Sequence, residues 1–370
     1  MNKYFFYFLF CFLFCQSSII TAQKKLDNPE LKEAATSKYN EQQASAEDIR
    51  VAENILLYQR NVGGWPKNKD MHLTLTKNQK EELLKLQSVG IGATIDNGAT
   101  VKELDFLSKI YEKVQDVRYK KAFLKGINYL IEAQYENGGW PQFYPLEIGD
   151  YSTQITYNDN AMVNVMNVMK AIAEKSGRFS IGLDDATILK AKTAIEKGVV
   201  IILKTQYKQN GVLTTWCAQH DEKTFLPAKA RSYELPSLSG GESPGIVLLL
   251  MSIDNPSPEI INAIQSAVAW FNKVKIEGIR MEEFTNQQGL QDRKVVSDEK
   301  APALWARFYE LENNRPFFCD RDGIKKYTIA EIGPERRNGY NWYTSGPQRV
   351  INAYEKWQPK WAPEKNVIMN

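Results

Sequence analysis

Residues 54–66 read NILLYQRNVGGWP, residues 128–141 read NYLIEAQYENGGWP, and residues 200–216 read VIILKTQYKQNGVLTTW. Each is an apolar stretch at helical spacing, then a glutamine, a glycine-bearing turn and a tryptophan. Gln59, Gln134 and Gln206 recur at intervals of 75 and 72 residues. A period this long exceeds a solenoid hairpin and fits a ring of helix pairs. In the second unit Ile127, Leu130 and Ile131 mark one helical face. Gly138 and Gly139 end the helix, Trp140 packs back across its end, and Pro141 keeps it from resuming. Packing is the plain use of these tryptophans, and stacking against a sugar is the alternative.

Apolar residues three and four apart recur over 98–115, 160–176, 185–203, 243–253, 258–275 and 300–312, while alternating β-branched runs are scarce. The expectation is an all-α fold: an α/α toroid, or incomplete α/α barrel, whose long loops form a cleft at one end. The series Lys125-Gly126, Tyr129-Leu130, Gln134, Gly139-Trp140 resembles the QW motif of terpenoid cyclases, which are also α/α toroids. That resemblance supports the architecture and not the chemistry. Those enzymes use an Asp-rich motif, and Asp184-Asp185 lacks the further aspartate.

Lys3, the apolar run Tyr4 to Cys15 and Ile-Thr-Ala ending at Ala22 give residues 1–22 the form of a cleaved signal peptide. Lipid attachment at Cys15 is the lesser alternative, because Phe12, Leu13 and Phe14 leave no small residue before the cysteine. A secreted or periplasmic protein is therefore expected. No long apolar run follows, so no stable membrane insertion is expected. Residues 23–49 are polar, a linker or first helix, and 50–370 hold the functional domain, expected to act as a monomer. The net charge of +3 is too balanced to mark a nucleic-acid binder. Cys217 and Cys319 survive signal removal, and whether they pair is open. With His72 and His220 the only histidines, a histidine-rich metal site or a two-histidine relay is excluded.

Four loop segments join turn residues to charged groups. Asp96 and Asn97 lie in ATIDNGAT, and Asn158 and Asp159 lie in QITYNDNAM; both segments precede helices, where capping is the commonest use of such residues. Residues 226–243, LPAKARSYELPSLSGGES, place Lys229, Arg231, Tyr233, Glu234 and Glu242 among prolines and glycines that fix the loop. Around Arg307 and Arg321, aromatics interleave with arginines, a setting suited to carboxylate recognition by a planar fork.

Together with the glutamine–tryptophan units and the closing stretch from Asn338 to Gly346, these segments resemble family 10 polysaccharide lyases, the pectate lyases, over nearly all of residues 50 to 357. The resemblance implies β-elimination on polygalacturonate, an anionic polymer. It implies Arg231 as the base that takes the C5 proton, and Arg307 and Arg321 as binders of substrate carboxylates. It implies Ca2+ held by Asp96 and Asp159 and completed by substrate and water. Lys229, Asn97, Asn158 and Tyr233 are expected along the cleft by adjacency. A calcium ion and neighbouring cations such as Lys229 are expected to lower the proton affinity of Arg231, and Glu234 to orient Arg231 or Lys229. Two other readings use the same residues. One is a glycoside hydrolase with Asp96 and Asp159 as its carboxylate pair; the other is a non-catalytic pectin-binding protein.

Overall fold

The computed structural model describes residues 44–368, so residues 1–22, expected as a signal peptide, and most of the expected 23–49 linker lie outside the described residues. Helices α1 (Ala46–Tyr58) and α2 (Lys77–Val89) each open on a capping box, Ser45 with Asp48 and Thr76 with Gln79. They are followed by α3 (Val101–Val114), α4 (Val117–Glu132), α5 (Ala161–Ala173), α6 (Asp185–Thr205), α7 (Ser243–Met251) and α8 (Pro258–Val274). The short α9 (Pro334–Asn338) and the longer α10 (Gly346–Trp361) complete the set. Helices α1, α4, α6 and α8 lie side by side in one row, and α3, α5, α7 and α10 lie in a second row against it.

The repeat is a hydrogen-bonded device. Gln59 Nε2 donates to Gly63 O at 2.7 Å, in its own turn, and to Ala122 O at 2.8 Å, in α4. Gln134 bonds Gly138 O and Ala194 O, and Gln206 bonds Thr214 O and Ala263 O, in the same manner. Each glutamine thus satisfies one turn carbonyl and adds a second hydrogen bond to a carbonyl inside the next helix of the row, which already accepts from its own helix. Trp65, Trp140 and Trp216 are fully buried, and their indole nitrogens donate to Ile55, Leu130 and Ile202 carbonyls. The packing role holds, and none of the three faces a sugar. The close approach explains the glycines. A Cβ on Gly138 would lie 2.2 Å from Lys197 O, and its φ is +98°.

The all-α toroid expectation is corrected. Among the described residues the helices are accompanied by six two-stranded antiparallel sheets, and the first five strands in chain order are β1 (Ile155–Thr156), β2 (Lys208–Gln209), β3 (Val212–Leu213), β4 (Gln219–His220) and β5 (Leu238–Ser239). The largest is the hairpin of β6 (Ile279–Thr285) and β7 (Gln291–Ser297). Residues 300–312, expected as helix, instead form β8 (Trp305–Ala306) and β9 (Phe308–Tyr309). Tyr343–Thr344 pairs with β8 and Leu238–Ser239 with β9. The physical reason is that two-residue strands carry no periodicity of their own. Their pairing partners lie far away in sequence, and a short apolar run reads alike as helix or buried strand. Cys217 and Cys319 are both free and buried. No helix among the described residues is long and apolar enough to cross a membrane.

A second apolar cluster gathers Tyr233, Phe308, Phe317, Phe318, Ile329 and Trp342 beneath the 226–243 loop. Asp292 of β7, itself buried, accepts from Arg337 at 2.7 and 2.8 Å, which fastens the hairpin to α9 and the stretch that follows it.

Candidate active site

Two equivalent turns form one wall. After each tryptophan the chain returns, and Trp65 O and Trp140 O accept from Thr94 N and Thr156 N at 3.0 and 3.1 Å. Thr94-Ile95-Asp96-Asn97-Gly98-Ala99 therefore corresponds to Thr156-Tyr157-Asn158-Asp159-Asn160-Ala161. Each is one turn of 3₁₀ helix with two left-handed residues, Asn97 and Gly98 (φ 53° and 74°) and Asp159 and Asn160 (φ 51° and 59°). Asn, Asp and Gly are the residues that tolerate this conformation. The acid and the amide are exchanged between the turns. The inner position is Asp96 in the first and Asn158 in the second, both buried, while Asn97 and Asp159 are exposed.

Neither aspartate caps a helix. Thr100 and Asn160 occupy the N-caps of α3 and α5, with no side-chain cap bond. Asp96 instead accepts from Asn97 N at 2.9 Å and from Lys67 Nζ at 2.5 Å. Asp159 accepts from Asn158 Nδ2 at 2.9 Å and from Arg307 Nη2 at 3.3 Å.

The opposite wall is the arginine loop. Glu234 takes Arg231 in a fork, Nε to Oε2 at 2.7 Å and Nη2 to Oε1 at 2.5 Å, and receives the Tyr340 hydroxyl at 2.8 Å. Hydrogen bonding and charge from Glu234 raise the proton affinity of Arg231 above the ordinary arginine value, outweighing partial burial. Burial opposes the Glu234 charge, but Arg231 overrides it and holds this carboxyl below its usual range. At Arg231 the fork with Glu234 thus outweighs any influence of Lys229. Glu234 does orient Arg231, as the sequence suggested.

Arg307 is nearly buried, over the Tyr340 ring at 4.5 Å, with Nη2 on Glu242 at 2.5 Å and on Asn158 at 3.1 Å. Its Nε is buried and has no partner. Burial works against its charge, but Glu242, Tyr340 and Asp159 more than offset it. Arg321 is exposed and pairs with Glu335 at 2.9 and 3.1 Å. Glu310, which neighbours Arg307 in sequence, bonds Asn313, Lys325 and Tyr327.

Asp96, Asn97, Asn158, Asp159, Arg231, Tyr233, Arg307 and Arg321 all line one cavity of about 700 Å³. Lys229 does not. It is exposed outside the cavity, and its carbonyl accepts from Gln154. His220 is structural: fully buried, it accepts from Cys217 N and bonds Phe225 O, and burial pushes its pKa down to about 4. Sequence reasoning passed over Lys67, Gln142, Arg293 and Arg336, which also line the cavity. For Lys67 and Gln142 a signal existed, since each directly follows a Trp-Pro pair of the repeat.

A hard cation asks for six to eight oxygens. The carboxylates of Asp96 and Asp159 and the amides of Asn97 and Asn158 are oxygen donors on one wall, with no nitrogen or sulfur ligand among them. Among the described residues no group of three or more His, Cys, Asp or Glu side chains gathers to hold a metal ion. The donor set fits calcium by kind and supplies part of a shell, leaving room for oxygens from a ligand and water.

The family model for pectic acid lyase matches residues 59–351. A family 10 polysaccharide lyase from Cellvibrio cellulosa is similar in structure, with a TM-score of 0.72 and 38% identity over 87% of this chain and 95% of that one. An Asp-to-Ala mutant of a family 10 polysaccharide lyase from the same organism, in complex with trigalacturonic acid, gives a TM-score of 0.72 and 38% identity over 87% and 96%. A search of curated proteins finds no match.

Proposed function

The chain belongs to the pectate lyase family and is a polysaccharide lyase, and from that premise we propose that it cleaves α-1,4-polygalacturonate by calcium-assisted β-elimination with Arg231 as the base. One observation carries the substrate class: Arg231, Arg307, Arg321, Arg293 and Arg336 line a single cavity, facing a wall of carboxylates and amides. A polymer bearing one carboxylate per sugar matches that field of cations. The relative in complex with trigalacturonic acid supports the same reading.

Arg307 would hold a uronate carboxylate, because it lines the cavity and its hydrogen bonds to Glu242, Asn158 and Asp159 all use Nη2. Arg321, exposed and paired with the exposed Glu335, is free to swing onto a neighbouring uronate. Glu234 occupies Nε and Nη2 of Arg231 and leaves Nη1 uncommitted, so the C5 proton would pass to that nitrogen. The C5–H electron pair becomes the C4–C5 double bond, the C4–O bond breaks, and the departing oxygen takes a proton from water. Asp96 and Asp159 would hold calcium, which supplies charge neutralisation at the substrate carboxylate and so acidifies the C5 proton. Because Glu234 raises the Arg231 proton affinity, the neutral base is scarce at neutral pH, and the rate is expected to climb under alkaline conditions.

The hydrolase reading is disfavoured, since Asp96 and Asp159 are each engaged by a cation rather than standing as a free acid–base pair. Export is the reading of residues 1–22 and rests on their sequence alone.

The test is ultraviolet absorption of the product from polygalacturonate at alkaline pH, with calcium, after chelation by EGTA and after calcium is restored. Absorbance that rises, stops and returns is expected, and Arg231→Ala should abolish it while oligogalacturonate binding persists. New reducing ends without absorbance would mean hydrolysis. Undiminished activity after chelation would remove calcium from the reaction.

A further inference from the structure

Lys67 has a role that the reaction above does not use. Its ammonium lies 2.5 Å from Asp96 Oδ2 and 5.3 Å from the centre of the Phe143 ring. The carboxylate is 6% exposed and the lysine side chain 32%, so this is not a solvated surface pair. The repeat supplies an internal control. Lys67 follows Trp65-Pro66, and its counterpart after Trp140-Pro141 is Gln142. The inner turn residue is Asp96 in the first unit and Asn158 in the second. Charge is thus present at both positions of the first unit and at neither position of the second. A surface lysine of no consequence would not track the acid–amide exchange. A lysine that compensates a buried carboxylate would, because an unpaired buried charge is strongly destabilising.

We propose that Lys67 is an internal counter-ion, which occupies Asp96 in the free protein and which a divalent cation must displace. This rests on the reading of Asp96 as a calcium holder. Lys67 is a positioning residue in this scheme and not a metal ligand. The exchange moves no proton: the ammonium leaves Oδ2, and the cation takes its place. Two consequences follow. Calcium binds the free protein more weakly than the oxygen donors alone would allow. Substrate also favours the exchange, because its carboxylates add oxygens to the cation and give the released ammonium a new partner, so the two bindings are positively coupled.

The experiment is calorimetric titration with calcium chloride, without substrate, of the wild-type protein, Lys67→Met and Lys67→Arg. Lys67→Met should bind calcium about tenfold more tightly, the factor that corresponds to removing about 1.4 kcal/mol of competition. Lys67→Arg should stay near wild type. Equal or weaker binding by Lys67→Met overturns the proposal, and so does the absence of binding in both, since something other than Lys67 would then keep the cation out. A protein with Lys67→Gln and Asp96→Asn guards against misfolding, because it reproduces the neutral pairing that the second unit already folds with. It should melt near the wild-type temperature and take up no calcium; tight calcium uptake by this pair would also overturn the proposal. The EGTA and calcium assay on wild type separates the levels. If calcium restores activity and Lys67→Met binds it no better, only the counter-ion role falls; if calcium does not restore activity, the calcium reading itself falls.

Discussion

Replacing Glu234 by glutamine removes the charge that clamps Arg231 while keeping the side chain's shape. The two groups meet in a fork at 2.5 and 2.7 Å. Unit charges about 4 Å apart interact by roughly 4 kcal/mol at an effective dielectric near 20. The Arg231 side chain is 42% exposed, however. Solvent screening at such a pair reduces the figure by about half, to roughly 2 kcal/mol. At 1.36 kcal/mol per unit, the proton affinity of Arg231 should fall by about 1.5 pH units. If Arg231 is the base, its neutral form then becomes populated at lower pH. The rising limb of log kcat/KM for polygalacturonate should move toward acid by about 1–2 units. The assay is initial ultraviolet rate against pH at saturating calcium, with Arg231→Lys measured beside it. A limb at the same pH in Glu234→Gln would refute the reasoning, because the titrating group would not be the one that Glu234 touches.

Glu103 offers a separate test through stability. Its Oε2 is buried without a partner, and burial pushes the carboxyl up from 4.5 to about 7. A raised carboxyl contributes stability that is fully present below the unfolded value near 4.5 and lost as pH rises through about 7. Glu103→Gln should therefore match wild type near pH 4 and exceed it at pH 9 by about 2–3 kcal/mol in urea melts; a difference constant across pH would count against the buried-acid account. Gln134→Ala removes two bonds of 2.9 Å, to Gly138 O and Ala194 O. It should cost about 1–3 kcal/mol of unfolding free energy, since the turn carbonyl loses its donor while Ala194 O keeps its helical one, and a loss under about 1 kcal/mol would show that water replaces the amide.

The glutamine–tryptophan units were legible because each performs one local task, and that task needs an amide, a glycine turn and an indole at fixed spacing. The acid–amide turns were legible as candidates for a similar reason: Asn97 and Asp159 stand at positive φ, which restricts residue choice. Their capping reading failed because Thr100 and Asn160 took the caps. Lys67 escaped notice since its place after Trp-Pro marks a repeat position but not a charge partner, which lies 29 residues away. The influence of Lys229 on Arg231 was overrated because Lys229 lies outside the cavity and the bidentate contact with Glu234 outranks its charge. The β6–β7 hairpin does alternate, with Ile279, Met281 and Val295 partly buried, but its intervening charged residues pair across the strands and blur the pattern. The shorter strands had no local signal to read.

The glutamine ties also set an order of resistance to opening. Gln59 links α1 to α4, Gln134 links α4 to α6, and Gln206 links α6 to α8. Helices α4 and α6 are therefore held at both flanks, and α1 and α8 at one. Amide protons in the two middle helices should exchange with deuterated solvent last, and those at the outer ends first. The repeat then acts as a chain of couplings, in which loosening passes inward from the ends one link at a time.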